Sequence, residues 1–383
     1  MSTKPQTAGA WLSLNSGYLL ILISAFLLCI GLVAVASSSV AAIPGQTYLG
    51  YFVRQLIYAC VGVTAALIVQ RTQLKWYFDN AMLLWLFGTA LLVVTVLPIF
   101  PAINGARRWI HLGVANFQTT ELVKLIVLIY TADMVVRRAP EVRSDLRGLI
   151  RLVSALGVML VFVAIQPDLG AMIVISVGAL AIYFLAGSPM RQISMLSAVF
   201  VSIVVMQIAF VEFRRERMLS LLDVWGNEQG AGWQVSRGLM ALGRGELFGA
   251  GLGESVFKLR HIPEVHTDSI IAVIGEETGF IGVSVVLVLF ALWMFLIVYI
   301  AHQALLENRL REGYLVYGIA CVFLMQIFVN TGMNFQLLPP KGLTLPLISF
   351  GGSSLMITLL MLGFVIKVHF ESSRSPSMVT KYY

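Results

Sequence analysis

Glu121 and Lys124 lie three positions apart in an apolar run, TTELVKLIVLIYTADMVV, that carries no other charge before Asp133. On a helix that spacing puts both on one face, where each neutralises the other. Two roles stay open for them: an ion pair holding helices together, or a charged pair facing a substrate. Asp268 follows His266 and Thr267 and opens a long apolar run. It can cap the helix that starts there, or it can take a proton from a substrate hydroxyl. The roles are compatible, because a helix N-terminus favours the carboxylate form. Farther along that run Gly275, Gly279 and Gly282 offer small faces for close packing, while Glu276 and Glu277 project elsewhere. At about 100° per residue, Gly275 falls under Asp268 and Glu277 on the opposite side. Glu277 is therefore expected to be a buried carboxylate bonded to a neighbouring helix. Asp168, after Gln166 and Pro167, is expected to cap its own helix, and Asp133 to pair with Arg137 four residues on.

The chain around these groups is 58% hydrophobic and only 12% charged, with a mean hydropathy of +0.88. Soluble domains run at about 45–50% apolar and about 25% charged residues. An ionisable group inside a membrane span costs about 2.5–3.5 kcal/mol, so each one needs a partner or a task. Windows long enough to cross the hydrocarbon core as helices fall near 18–37, 52–70, 78–100, 118–136, 148–165, 168–186, 191–212, 269–300, 313–336 and 349–369. The sequence thus predicts an all-α integral membrane protein of about ten transmembrane helices, forming a single membrane domain over 1–383. The first window is longer than the core of a cleaved signal peptide and is expected to be retained. With both termini inside, the cytoplasmic segments hold fourteen of the 26 basic residues, against Arg107, Arg108 and Lys341 in the short outer loops. That bias sets the orientation: cytoplasmic tails at 1–17 and 370–383, and one long periplasmic loop at 213–267. The loop is glycine-rich, its charges nearly cancel, and a long shaped loop is often functional.

Other chemistries are excluded by their absence. Cys29, Cys60 and Cys321 all lie in apolar stretches and are expected to be buried small hydrophobes, with no metal or redox spacing. The formal charge of +7 sits at the ends of apolar spans, which points to anionic lipid headgroups and not to nucleic acid. Trp109, Trp225 and Trp233 fall at the expected outer interface, as in an aromatic belt. No phosphate-binding loop, zinc-protease motif or histidine cluster occurs, and GAGLG from Gly249 lacks the βαβ context of a nucleotide fingerprint.

The block GAGLGESVFKLRHIPEVHTDSIIAVIGEETGFIG, from Gly249 to Gly282, resembles the signature of the SEDS (shape, elongation, division and sporulation) glycosyltransferases. The resemblance continues in NGARRWIHLG from Asn104, QTTELVK from Gln118, QPDLG from Gln166 and NTGMNFQLLPPKGLTLPLISFGGSS from Asn330, in the family's order. Gly253-Glu254-Ser255 with Lys258, and the run from Lys341 to Thr344, look more like the division type (FtsW-like) than the elongation type. The resemblance implies polymerisation of lipid II, with undecaprenyl-pyrophosphate-linked glycan, at the outer face of the cytoplasmic membrane and at the septum. It makes Asp268 the catalytic base. Arg108, Lys124, Arg217, Lys258 and Lys341 are candidates to hold the pyrophosphate, and Glu121, Glu264, His266 and Ser349 complete the expected substrate-binding set. No resident cofactor or metal ligand set is implied, although a divalent cation at the pyrophosphate is compatible with the reaction. The implied partners are a class B penicillin-binding transpeptidase and other division membrane proteins. Two competing roles are a lipid II flippase, which the buried charge near Glu121 would suit, and a non-catalytic scaffold. Neither explains why the specific block gathers around an outer-edge carboxylate.

Overall fold

A computed structural model of the chain describes residues 8–39, 50–98, 100–101, 106–111, 116–226, 232–258 and 266–374. Glu264 and the outermost parts of both expected tails, 1–7 and 375–383, lie outside the described residues. Helices α1 (Ala8–Ser39) and α2 (Gly50–Arg71) lead through a short α3 (Leu74–Asp79) to α4 (Ala81–Val96). Two short antiparallel strands, β1 (Trp109–His111) and β2 (Asn116–Gln118), pair with Ile110 opposite Phe117. Then come α5 (Thr119–Arg137), α6 (Ala139–Ser144), α7 (Leu146–Ile165), α8 (Leu169–Leu185) and α9 (Met190–Phe210). The chain continues through α10 (Glu212–Leu222), α11 (Trp233–Arg244), α12 (Ile270–Leu306), α13 (Leu310–Asn334) and α14 (Gly352–Arg374).

A helix lies under each predicted window. Among the described residues, seven helices are long and apolar enough to cross a membrane: α1, α2, α7, α9, α12, α13 and α14. Helices α4 and α8 are apolar but shorter, at 16 and 17 residues. Helix α5 has 19 residues and carries Glu121, Lys124, Asp133 and Arg137. The segment expected as one long loop is more structured than its glycine content suggested, since it contains α10 and α11, and α11 packs on α12.

Packing inverts the pattern of a soluble protein. Helix α5, the most charged of the long helices, is buried along nearly its whole length among α4, α8, α13 and α14. Helix α9 is apolar, yet Gln192 is its one buried residue, and Phe210 at its end is 82% exposed. Lipid tails are as apolar as a leucine side chain, so such a surface is already solvated. The same reasoning corrects the cysteine expectation: Cys29 and Cys60 are exposed on their helices and Cys321 is half-buried. A thiol gains little by leaving hydrocarbon for a protein core.

Helix α12 is broken. Gly279 adopts φ 68° and ψ −169° in its interior, a backbone state open to glycine at little cost. The bonds that Phe280 and Ile281 would make to the carbonyls of Glu276 and Glu277 are replaced by bonds to the glycine-rich segment. Ala250 N donates to Glu276 O at 2.9 Å and Gly251 N to Glu277 O at 3.1 Å, while Phe280 N donates to Glu246 O at 2.8 Å and Ile281 N to Leu247 O at 3.2 Å. The approach is so close that a Cβ on Gly249 would lie 2.2 Å from Glu277 O. Gly279 is required by its backbone angle and is also the close-packing glycine expected, since a Cβ there would stand 2.4 Å from Gly249 N and 2.5 Å from Leu247 O, and Gly275 likewise provides a close contact, to Leu242 of α11. The two carboxylates at the break close the arrangement. Glu276 accepts from Arg244 at 2.7 Å, from Val256 N at 2.9 Å and from Ser255. Glu277 pairs with Lys258 at 2.9 Å and accepts from Ser37 of α1, as a carboxylate bonded to a neighbouring helix should.

Candidate functional site

Asp268 sits two residues ahead of α12, and the N-cap of that helix is Ser269, whose side chain makes no capping hydrogen bond. The expected capping role for Asp268 is corrected: the turn preceding the helix displaces the boundary by one residue. Its backbone carbonyl accepts from Nδ2 of Asn330 at 3.2 Å and of Asn334 at 3.0 Å, one turn apart on α13. Its carboxylate lies against a backbone without a side chain, since a Cβ built on Gly342 would stand 3.4 Å from Asp268 Oδ2.

Gly342 belongs to the segment between α13 and α14, and the residue before it is Lys341. Burial, with Arg214 and then Arg217 beside it, lowers the Lys341 pKa to about 8, while Asp168 opposes that shift and Arg108 adds to it. Burial also lowers the Arg217 pKa, against the opposing charge of Asp268. In Arg214 the cause is again burial first, then Arg108. Arg217 donates to Pro340 O at 3.0 Å, which anchors α10 to the Lys341 segment. Arg108 donates to the carbonyls of Gln166 at 2.9 Å and Pro167 at 2.7 Å, bringing the strand region to the start of α8. There Asp168 caps α8, its Oδ1 accepting from Ala171 N at 3.1 Å, as expected, and its Oδ2 also accepts from Gln118 Nε2 at 3.1 Å.

The outcome is one cluster drawn from segments far apart in sequence: Arg108, Arg214, Arg217 and Lys341, with Asp168 and Asp268. Cations outnumber carboxylates among these described residues. Such a surface suits an anionic ligand, and a carboxylate such as that of Asp268 is a group of the type that can accept a proton. Among the described residues no group of three or more His, Cys, Asp or Glu is arranged to hold a metal ion.

The family described as cell cycle protein, FtsW/RodA/SpoVE, matches residues 18–374. The chain belongs to the FtsW/RodA/SpoVE family. It is 44% identical to the probable peptidoglycan glycosyltransferase FtsW of Acinetobacter baylyi over 344 residues, covering 89% of this chain and 86% of that one. Identity to the protein of the same description from Coxiella burnetii is 37% over 349 residues, covering 90% and 94%. Among solved structures, one chain of a peptidoglycan synthase complex, studied for its structural coordination of polymerization and crosslinking, superposes with a TM-score of 0.77. It is 27% identical, and the match covers 93% of this chain and 98% of that one. The rod shape determining protein RodA of Thermus thermophilus gives a TM-score of 0.68 at 26% identity, covering 92% and 96%.

Within this FtsW/RodA/SpoVE chain, not every residue expected at the site is brought to it. Lys258 is 4% exposed and its ammonium is enclosed by Glu277, Ser37 and Gly253 O, so its charge is already spent within the fold. The Ser349 hydroxyl accepts from Leu345 N at 2.9 Å and fastens a turn. His266 stacks on Tyr51 with ring centroids 4.2 Å apart and also meets Phe350, a packing contact beside Asp268. Glu121 and Lys124 pair at 2.7 Å in the first turns of α5, both nearly buried. That turn adjoins the cluster, because Thr120 Oγ1 reaches Asp168 Oδ2 at 3.5 Å. Asp133, farther along, pairs with Arg137 as expected and also with Arg311 of α13 at 3.4 Å. The residues that the sequence reading missed are Arg214, Asn330 and Asn334. Arg214 lies one turn from Arg217 on α10, a spacing visible in FRRERM, and both asparagines stand in NTGMN.

Proposed function

We propose that this chain is a peptidoglycan glycosyltransferase of the division type that polymerises lipid II at the outer face of the cytoplasmic membrane, with Asp268 as general base. Asp268 removes the proton from the acceptor hydroxyl, whose oxygen forms a bond to the anomeric carbon of the donor. The bond from that carbon to the pyrophosphate breaks, and undecaprenyl pyrophosphate leaves with the electron pair. Arg108, Arg214, Arg217 and Lys341 face the negative charge that develops on the leaving group. The isoprenoid tail stays in lipid beside apolar helix surfaces of the kind α9 exposes. The observation that carries this reading is the Asp268 carboxylate against bare backbone at Gly342, beside cations in excess. The partner is a class B penicillin-binding transpeptidase at the septum, which fits the likeness to a chain of a synthase complex.

Purified protein given lipid II, with and without the transpeptidase, tests the reading. A ladder of glycan products is expected in the complex. Absence of glycan, together with transfer of lipid II across the bilayer of proteoliposomes, would replace the enzyme by a flippase.

A further inference from the structure

Asn330 is fully buried in α13, where an apolar side chain would be the cheaper occupant. Its Nδ2 carries two hydrogens and both are used: one bond runs to Asp268 O at 3.2 Å, the other to Leu343 O at 2.7 Å. Its Oδ1 is buried and has no hydrogen-bond partner among the described residues. The amide is thus committed through its donor end, and what it joins is the residue carrying the carboxylate to the segment carrying Lys341. The Asp268 carboxylate itself meets Gly342, the residue just before Leu343. Asn334 differs in one respect. Its Nδ2 also donates to Asp268 O, at 3.0 Å, but its second bond returns to Asn330 O within α13 and does not reach the Lys341 segment. Met333, between them, accepts from Lys341 N through its sulfur at 3.4 Å.

We propose that Asn330 is a positioning residue for glycosyl transfer, fixing the separation between the Asp268 carboxylate and the Lys341 cation by holding both backbones at once. The proposal rests on the assignment of Asp268 as base. A displacement of reacting groups by about 1 Å costs about a hundredfold in rate, and a double tether of this kind restrains a displacement on that scale. Substrate affinity, set by the wider cationic surface, depends on it far less.

The test compares Asn330→Leu, Asn334→Leu and Asp268→Asn in the full chain purified with its transpeptidase, reading kcat and KM for lipid II polymerisation and the melting temperature. Expected for Asn330→Leu is a kcat loss of about a hundredfold with KM within a fewfold of wild type. Asn334→Leu, with a similar drop in melting temperature, should lose much less rate. Rate losses that track melting temperature equally in both variants, or a wild-type kcat in Asn330→Leu, would overturn the proposal. If Asn330→Leu does not fold, Asn330→Ser carries the same comparison; failure of both to fold would assign Asn330 to stability alone and overturn it too. Asp268→Asn separates the two claims. Full activity there removes the base and the positioning role together, whereas an inactive Asp268→Asn beside an unaffected Asn330→Leu removes only the positioning role.

Discussion

Two charged clusters flank the first turns of α12, and they are built on opposite plans. At the helix break, Arg244 meets Glu276 and Lys258 meets Glu277, and serine hydroxyls and loop amides fill the remaining positions on the carboxylates. Charge is balanced within the protein there, and the product is a fixed shape: a glycine-rich segment sewn into an interrupted helix. Around Asp268 the balance is not reached: four cations, Arg108, Arg214, Arg217 and Lys341, stand with two carboxylates, Asp168 and Asp268, and burial first, then the neighbouring arginines, lowers the Lys341 pKa to about 8. Cations held together against their mutual repulsion cost stability unless an anion joins them. A closed cluster therefore reads as framework and an open one as a binding site, even though both use the same residue types.

The largest effect expected from this contrast is at the open cluster. Asp268→Asn should lower polymerisation by about 100- to 10,000-fold, since an amide cannot accept the hydroxyl proton, while the melting temperature stays near wild type. Ser269 is the N-cap residue of the helix, and asparagine serves a helix N-terminus about as well as aspartate does. A large drop in melting temperature with this variant would return Asp268 to the framework. At the closed cluster the signs reverse. Glu277→Gln leaves Lys258 buried and unpaired, a loss of about 3–5 kcal/mol in stability, measurable by thermal unfolding in detergent. Lys258→Met combined with Glu277→Met should recover much of it, and simple additivity of the single losses would break the pairing argument. The smallest effect concerns pH. With its pKa lowered to about 8, the Lys341 ammonium is present below that pH and is lost as pH rises through it. Activity should therefore fall above about pH 8, by up to tenfold per unit, and Lys341→Arg should flatten that limb. An unchanged alkaline limb in Lys341→Arg would sharpen the comparison by removing Lys341 from the functional cations.

What the sequence made legible were relations within one helix or at its edge. The pairs Glu121–Lys124 and Asp133–Arg137, and the cap at Asp168, follow from spacings of three or four residues, and the structure has all three. Helices also occupy all ten hydrophobic windows, because a span in lipid must satisfy its own backbone. Relations that needed the tertiary fold were not legible. Nothing in the spacing of Lys258 and Glu277 marks them as partners, since the break at Gly279 and the loop folded over it bring them together. The double hold of Asn330 on Asp268 and Leu343 joins three segments and leaves no local pattern. Arg214 was passed over as a site residue because, from sequence alone, an arginine in a long outer loop looks like any other surface charge.

The contrast between the clusters is tested most directly by binding of the leaving group. Undecaprenyl pyrophosphate is titrated onto the purified protein in lipid nanodiscs, with Arg217→Gln representing the open cluster and the Lys258→Met, Glu277→Met pair the closed one. The account predicts that Arg217→Gln weakens binding by about 10- to 150-fold, the equivalent of one charge-assisted hydrogen bond of about 1.5–3 kcal/mol, and that the closed-cluster variant binds as wild type does. Equal affinity in all three proteins, or a loss confined to the closed-cluster variant, would contradict it.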